Sequence, residues 1–122
     1  LGTPTGIPYA FNSLHKAGTK LLMGSDAPVA PLDPWMAISA AVFGTESSDR
    51  EPFQPEQCLD ARTALAASTA VSRDRPEPGD PADLVLLDRD PYAVSTPEEM
   101  RAMPVAATML AGRWTYSSLH GE

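Results

Sequence analysis

Apolar positions along the chain fall into short blocks set apart by proline, glycine and charged breaks. Residues 7–18, IPYAFNSLHKAG, place Tyr9 or Phe11, Leu14 and Ala17 at helical spacing and predict a helix ending at Gly18. TKLLM, residues 19–23, follows directly, and its unbroken apolar centre predicts a short strand buried on both faces, as in a parallel sheet. LDPWMAISAAVF is the clearest helix. Asp33 suits the N-cap, Pro34 suits the first helical position, and Trp35, Ile38 and Val42 fall near one face. GTESSDREPFQP is polar and turn-rich and predicts a loop. DARTALAAST predicts a helix capped by Asp60.

The charged, Pro-rich stretch RDRPEPGDPAD marks a change of style. Helices and one buried strand precede it, and strands dominate after it. DLVLLD, residues 83–88, predicts an apolar strand between carboxylates. TPEEMRAM predicts a short helix with Thr96 as cap, Pro97 first, and Glu98 and Glu99 where the helix dipole favours them. VAATMLAGRWTYSS predicts a hairpin, Val105–Ala111 pairing with Trp114–Ser117 across a turn at Gly112 and Arg113. Helix, glycine, strand and polar loop is the rhythm of an α/β fold.

Composition narrows the function. The 122 residues suit one ordinary domain, 43% are hydrophobic, and thirteen prolines imply short elements and many turns. A net charge of −7 repels phosphate backbones, so nucleic acid is not an expected partner. No apolar run approaches the roughly 18 residues of a membrane span, and LGTPTGIPYAF lacks the basic and apolar blocks of a signal peptide. The letters GTP at Gly2–Pro4 have no chemical meaning. The single cysteine, Cys58, excludes an internal disulfide framework and fits a reducing, cytoplasmic compartment.

The chemistry centres on GSDAPVAP, where Asp26 follows KLLM. A turn explains a carboxylate there, and so does a metal or catalytic site. Four blocks in order, LHKAGTKLLMGSDAPVAPLDPW, ARTALAAST, PGDPADLVLLDRDP and VAATMLAGRWTY, resemble the C-terminal part of the metal-dependent amidohydrolases of family 3, over about 100 residues. The resemblance implies an α/β fold in which this chain supplies the last strand and helices of a (β/α)8 TIM-like barrel and the C-terminal strands of a small β-sandwich. Residues 1–75 would end the barrel, with KLLM as its eighth strand, and residues 76–122 would belong to the composite sandwich. Barrel active sites lie at the C-terminal strand ends, where Asp26 would stand. There the resemblance makes it both a metal ligand and the group that takes a proton from the attacking water. A divalent metal, zinc first, lowers the pKa of bound water, and a nearby carboxylate can act as general base.

Much of the family pattern is missing. A barrel alone needs roughly 250 residues, so the chain is expected to be a C-terminal fragment. The family's His-x-His pair and later histidines have no counterpart. His15 and His120, and Lys16 and Lys20, lie in no matching motif. A catalytic zinc typically takes three protein ligands, and the pattern supplies one. The chain alone is expected to bind no metal, to be inactive, and to self-associate or pair with the missing barrel portion. The family's longer connection and GSL strand are replaced between Thr69 and Pro78 by AVSRDRPE.

Plainer roles suit the other polar residues. Asp33 reads as a cap, Trp35 as core, His15 as surface, His120 as tail, and Cys58 as a half-buried small residue. Asp83 and Asp88 read as strand-end solvation, Thr69 as helix-end packing, and Ser25 and Pro28 as loop-shaping. The implied function is hydrolysis of C–N bonds in amides, cyclic amides or N-formyl groups of a small-molecule substrate, without nucleic acid or membrane partners. A non-catalytic binding or assembly module, or a cyclic deaminase fragment, are the alternatives.

Overall fold

A computed structural model describes residues 6–119. Its element order is α1 (Phe11–Lys16), α2 (Pro34–Phe43), a 3₁₀ turn (Pro55–Gln57), α3 (Ala61–Ala67), β1 (Leu84–Leu87), α4 (Pro97–Arg101), β2 (Val105–Leu110) and β3 (Arg113–Ser117). The fold is a small α/β arrangement with one antiparallel sheet, ordered β1-β2-β3.

Local chemistry explains three helix starts. The carboxylate of Asp33 accepts from Trp35 N–H at 2.9 Å, that of Asp60 from Thr63 N–H at 2.8 Å, and the Thr96 hydroxyl from Glu99 N–H at 3.2 Å. Each satisfies a donor that the first helical turn leaves open. At the other end of α2, Gly44 adopts φ +68 and its N–H donates to Ala40 O. That left-handed stop favours a residue without Cβ.

The core lies where α2, α3 and α4 meet. Trp35, Ile38, Ala41, Leu59, Ala64, Met100 and Met103 form one buried cluster, drawing side chains from both sides of residue 76. Buried Ser39 on α2 donates through its hydroxyl to Pro97 O, tying α2 to the start of α4. Such pairing removes the cost of a buried unsatisfied hydroxyl. The backbone joins α2 to the entry of α3, with Leu59 N–H donating to Ala41 O.

α1 packs differently. None of its residues is buried, and Tyr9, Phe11 and Leu14 stay largely exposed. A polar clamp holds it instead: Ser13 N–H donates to Gln57 Oε1, Gln57 Nε2 donates to Ser13 Oγ, and Asn12 Nδ2 donates to Glu56 O.

Two expectations change. Lys20–Met23 forms no strand, because no other strand among the described residues lies beside it. Leu21 and Met23 pack against the core cluster, Met23 N–H donates to Ala67 O, and Leu22 is exposed. The hairpin turn sits one residue earlier than expected, at Ala111 (φ +49) and Gly112 (φ +78), so Arg113 opens β3. Two consecutive positive φ values match a primed hairpin turn, whose twist suits the flanking strands. Both ladders slip register, between Leu86 and Leu87 on β1 and between Thr108 and Met109 opposite β3.

Candidate functional site

Asp26 lies in a loop between the repacked Leu21–Met23 segment and α2. Its backbone is at φ +54, unusual for a residue with a Cβ, and its side chain is exposed. Val29 N–H donates to Asp26 O at 2.9 Å, which closes a turn over Ala27 and Pro28. Ser25 is half-buried and Pro28 exposed. Downstream, the Asp33 cap fixes where the loop meets α2. The carboxylate is therefore presented on a turn anchored at both ends, able to reach solvent.

The remaining candidates do not gather around it. Asp33 is engaged as a cap, and Trp35 is buried in the core cluster. His15 is exposed near the end of α1. His120 lies outside the described residues, as do Gly2–Pro4. Cys58 is half-buried, and burial followed by the neighbouring Glu56 charge pushes its thiol pKa up, against nucleophilic use. Asp83 and Asp88 are exposed, and Asp83 Oδ1 accepts from Ala111 N–H at 2.8 Å, holding the hairpin tip rather than a ligand. The Thr69 hydroxyl accepts from Arg73 N–H and has Arg73 O at 2.8 Å and Ala66 O at 3.0 Å as acceptors for its single hydrogen, tying the end of α3 to the next loop. Glu98 accepts from Ser48 N–H at 2.7 Å, and this backbone bond first of all lowers its pKa.

Among the described residues no three His, Cys, Asp or Glu side chains converge where a metal could sit. A catalytic zinc typically draws three protein ligands, and Asp26 is one carboxylate. The described residues therefore do not by themselves fit a catalytic metal.

Sequence reasoning missed a charged network in the connection after α3. Arg62 pairs with Asp74 and lies 4.5 Å from the Tyr92 ring centre, while Tyr92 OH donates to Asp74 Oδ2 at 2.8 Å. Burial first, then the Asp74 hydrogen bond, raises the Tyr92 pKa to about 12. The same bond leads in lowering Asp74. Arg73 pairs with Asp80 and lowers its pKa through that hydrogen bond, helped by Glu77 N–H. These contacts border a cleft of about 800 Å³ between the helices and the sheet, which Asp26 does not line. The only sequence signal was the density of Arg and Asp in RDRPEPGD, where opposite charges seven apart, Arg73 and Asp80, close a loop.

A family model described as "Amidohydrolase family" matches residues 2–116, nearly the whole chain. The chain belongs to amidohydrolase family 3. It is 27% identical over 119 residues to a Bacillus subtilis (strain 168) protein named "Putative amidohydrolase YtcJ", covering 88% of this chain and 22% of that protein. The chain thus spans about a fifth of that relative's length. No solved structure matches the chain. No helix among the described residues is long and apolar enough to cross a membrane.

Proposed function

We propose that this chain is the C-terminal part of a metal-dependent hydrolase that cleaves C–N bonds of amides, cyclic amides or N-formyl groups. Residues 1–75 close the barrel of that enzyme, and residues 76–122 contribute strands to its β-sandwich. The observation that carries the reading is Asp26, an exposed carboxylate on a turn anchored by Val29 N–H and by the capped start of α2, within a family match over residues 2–116. An exposed carboxylate beside a water attacking a carbonyl can take the proton of that water. It can then return the proton to the leaving nitrogen as the C–N bond breaks. The divalent metal implied by the family, zinc first, needs donors beyond the described residues. The 122 residues alone are accordingly inactive and pair with the barrel portion or a second copy. A lone cysteine and the lack of a membrane-crossing helix among the described residues are consistent with a cytoplasmic setting.

The test is metal analysis and amide hydrolysis by the full-length protein, with Asp26→Asn beside it. A general base contributes about 10²–10⁴-fold, so the variant loses at least about 100-fold in kcat. Unchanged kcat in Asp26→Asn removes Asp26 from the mechanism.

A further inference from the structure

We infer that the pocket between α1, residues 19–21 and α3 is a cationic socket that takes an acidic side chain from the portion of the enzyme outside these 122 residues. The inference rests on the reading of the chain as the C-terminal part of a larger hydrolase. The pocket measures about 360 Å³. His15, Lys20 and Arg62 line it, and no Asp or Glu does. That runs against the chain as a whole, whose net charge is −7. The two acids attached to α3 are already engaged. Asp60 accepts from the Thr63 N–H and hydroxyl, and Asp74 holds Arg62 and the Tyr92 hydroxyl. Lys20 makes no ion pair among the described residues. Ser72 also lines the pocket, and its hydroxyl oxygen is shut from solvent with no hydrogen-bond partner among the described residues. A buried hydroxyl of that kind calls for a partner. A carboxylate seated in the pocket can accept from it and meet the Lys20 ammonium.

The surroundings favour a protein side chain over a free anion. α1 buries none of its six residues, Phe11 and Leu14 stay exposed on it, and Leu22, two residues past Lys20, is 71% exposed. A helix this short is not stable on its own propensity and depends on packing, so the remainder of the enzyme covers this face. The chain spans about a fifth of its Bacillus subtilis relative, which leaves ample polypeptide to do so. Covering the face takes Lys20 and Arg62 out of water. A desolvated cation without a counter-charge is strongly unfavourable. The covering surface therefore carries a carboxylate where it meets the pocket. Apolar contacts at Leu14 and Leu22 supply association, and the charge pair fixes register and excludes wrong dockings.

A carbodiimide joins an amine to a carboxylate in direct contact with it. Lys16 and Lys20 are the only lysines of these residues, and Lys16 does not line the pocket. Carbodiimide treatment of the full-length enzyme couples Lys20 to an Asp or Glu outside residues 1–122, read by peptide mass spectrometry. Lys20→Glu lowers the melting temperature of that enzyme more than Lys16→Glu does, and exchanging the coupled acid for lysine in the Lys20→Glu background restores it. No coupling from Lys20 to such an acid, or equal melting shifts for the two charge reversals, overturns the socket. Inorganic phosphate that raises the melting temperature of the parent enzyme but not of Lys20→Gln assigns the pocket to a free anion, and overturns it too. Amide hydrolysis without the coupled peptide overturns the socket and leaves the hydrolase reading standing. The coupled peptide in a full-length protein that hydrolyses no amide overturns the hydrolase reading and leaves the socket.

Discussion

Replacing Gly44 by alanine tests how α2 is held at the end opposite the Asp33 cap. A Cβ on Gly44 would stand 2.9 Å from Cys58 Sγ, 2.9 Å from Phe53 O and 3.4 Å from Pro52 Cβ. Phe53 cannot yield freely, because its N–H donates to Gly44 O at 2.8 Å. The left-handed backbone, at φ +68, costs an alanine about 1–2 kcal/mol. The reduced freedom of the unfolded chain returns about 0.4–1 kcal/mol, and displacing packed atoms costs about 1–3 kcal/mol. The net loss for Gly44→Ala is therefore about 1–5 kcal/mol, with its middle at about 3. Gly79 provides the comparison: its φ is +98, but nothing lies within 4 Å of its would-be Cβ. Gly79→Ala carries the backbone cost alone, about 1 kcal/mol after the unfolded-state offset. Urea unfolding of the two variants beside the parent gives the difference. Equal losses at the two positions would refute the close approach of Gly44 to Cys58 and Phe53. A larger loss at Gly79 would refute the assignment of its surroundings as open.

Acid and base should act at different places. The pKa values of Asp74, Asp80 and Glu98 are lowered in the fold, so their contribution is present above the ordinary carboxylate range and disappears as pH falls through their lowered values. Melting temperature should hold between about pH 7 and 5 and fall below about pH 4, and Asp80→Asn should flatten that acid limb; an unchanged limb in the variant would remove Asp80 as a contributor. Tyr92 is raised to about 12, so its contribution is complete below the ordinary tyrosine value and is lost as pH rises toward about 12; Tyr92→Phe should abolish that alkaline loss. Cys58, its thiol raised by burial and by Glu56, should react with a disulfide reagent at pH 8 at least about tenfold more slowly than in the urea-unfolded chain, and equal rates would place it in the open.

What the sequence disclosed was mostly local chemistry. Asp33 with Pro34, Asp60, and Thr96 with Pro97 each announce a helix start within four residues, and each cap is present. β1 and the hairpin were legible from apolar runs and a glycine. The turn was misplaced by one residue because Ala111, not a residue that favours positive φ, takes its first corner. KLLM misled for a different reason. An unbroken apolar run fits a buried strand or any buried segment, and here Leu21 and Met23 are satisfied by the helices. The Arg62–Asp74–Tyr92 and Arg73–Asp80 contacts depend on how a loop folds back, which no short-range spacing encodes. Asp26 itself is legible only through the family motif: locally it is an exposed residue in a turn, and the turn geometry states nothing about its chemistry.

The two register slips in the sheet bear on how it can be extended. The first slip leaves Ala106 of the central β2 unpaired, whereas the second leaves Thr115 of β3 unpaired, so a new strand aligned on β3 would meet backbone donors and acceptors that change phase part-way along. It could follow the template for only two or three residues before losing step. β3 is five residues long and exposed throughout, and the offset interrupts edge-to-edge pairing along it. A strand that pairs along β3 has to accommodate that extra residue.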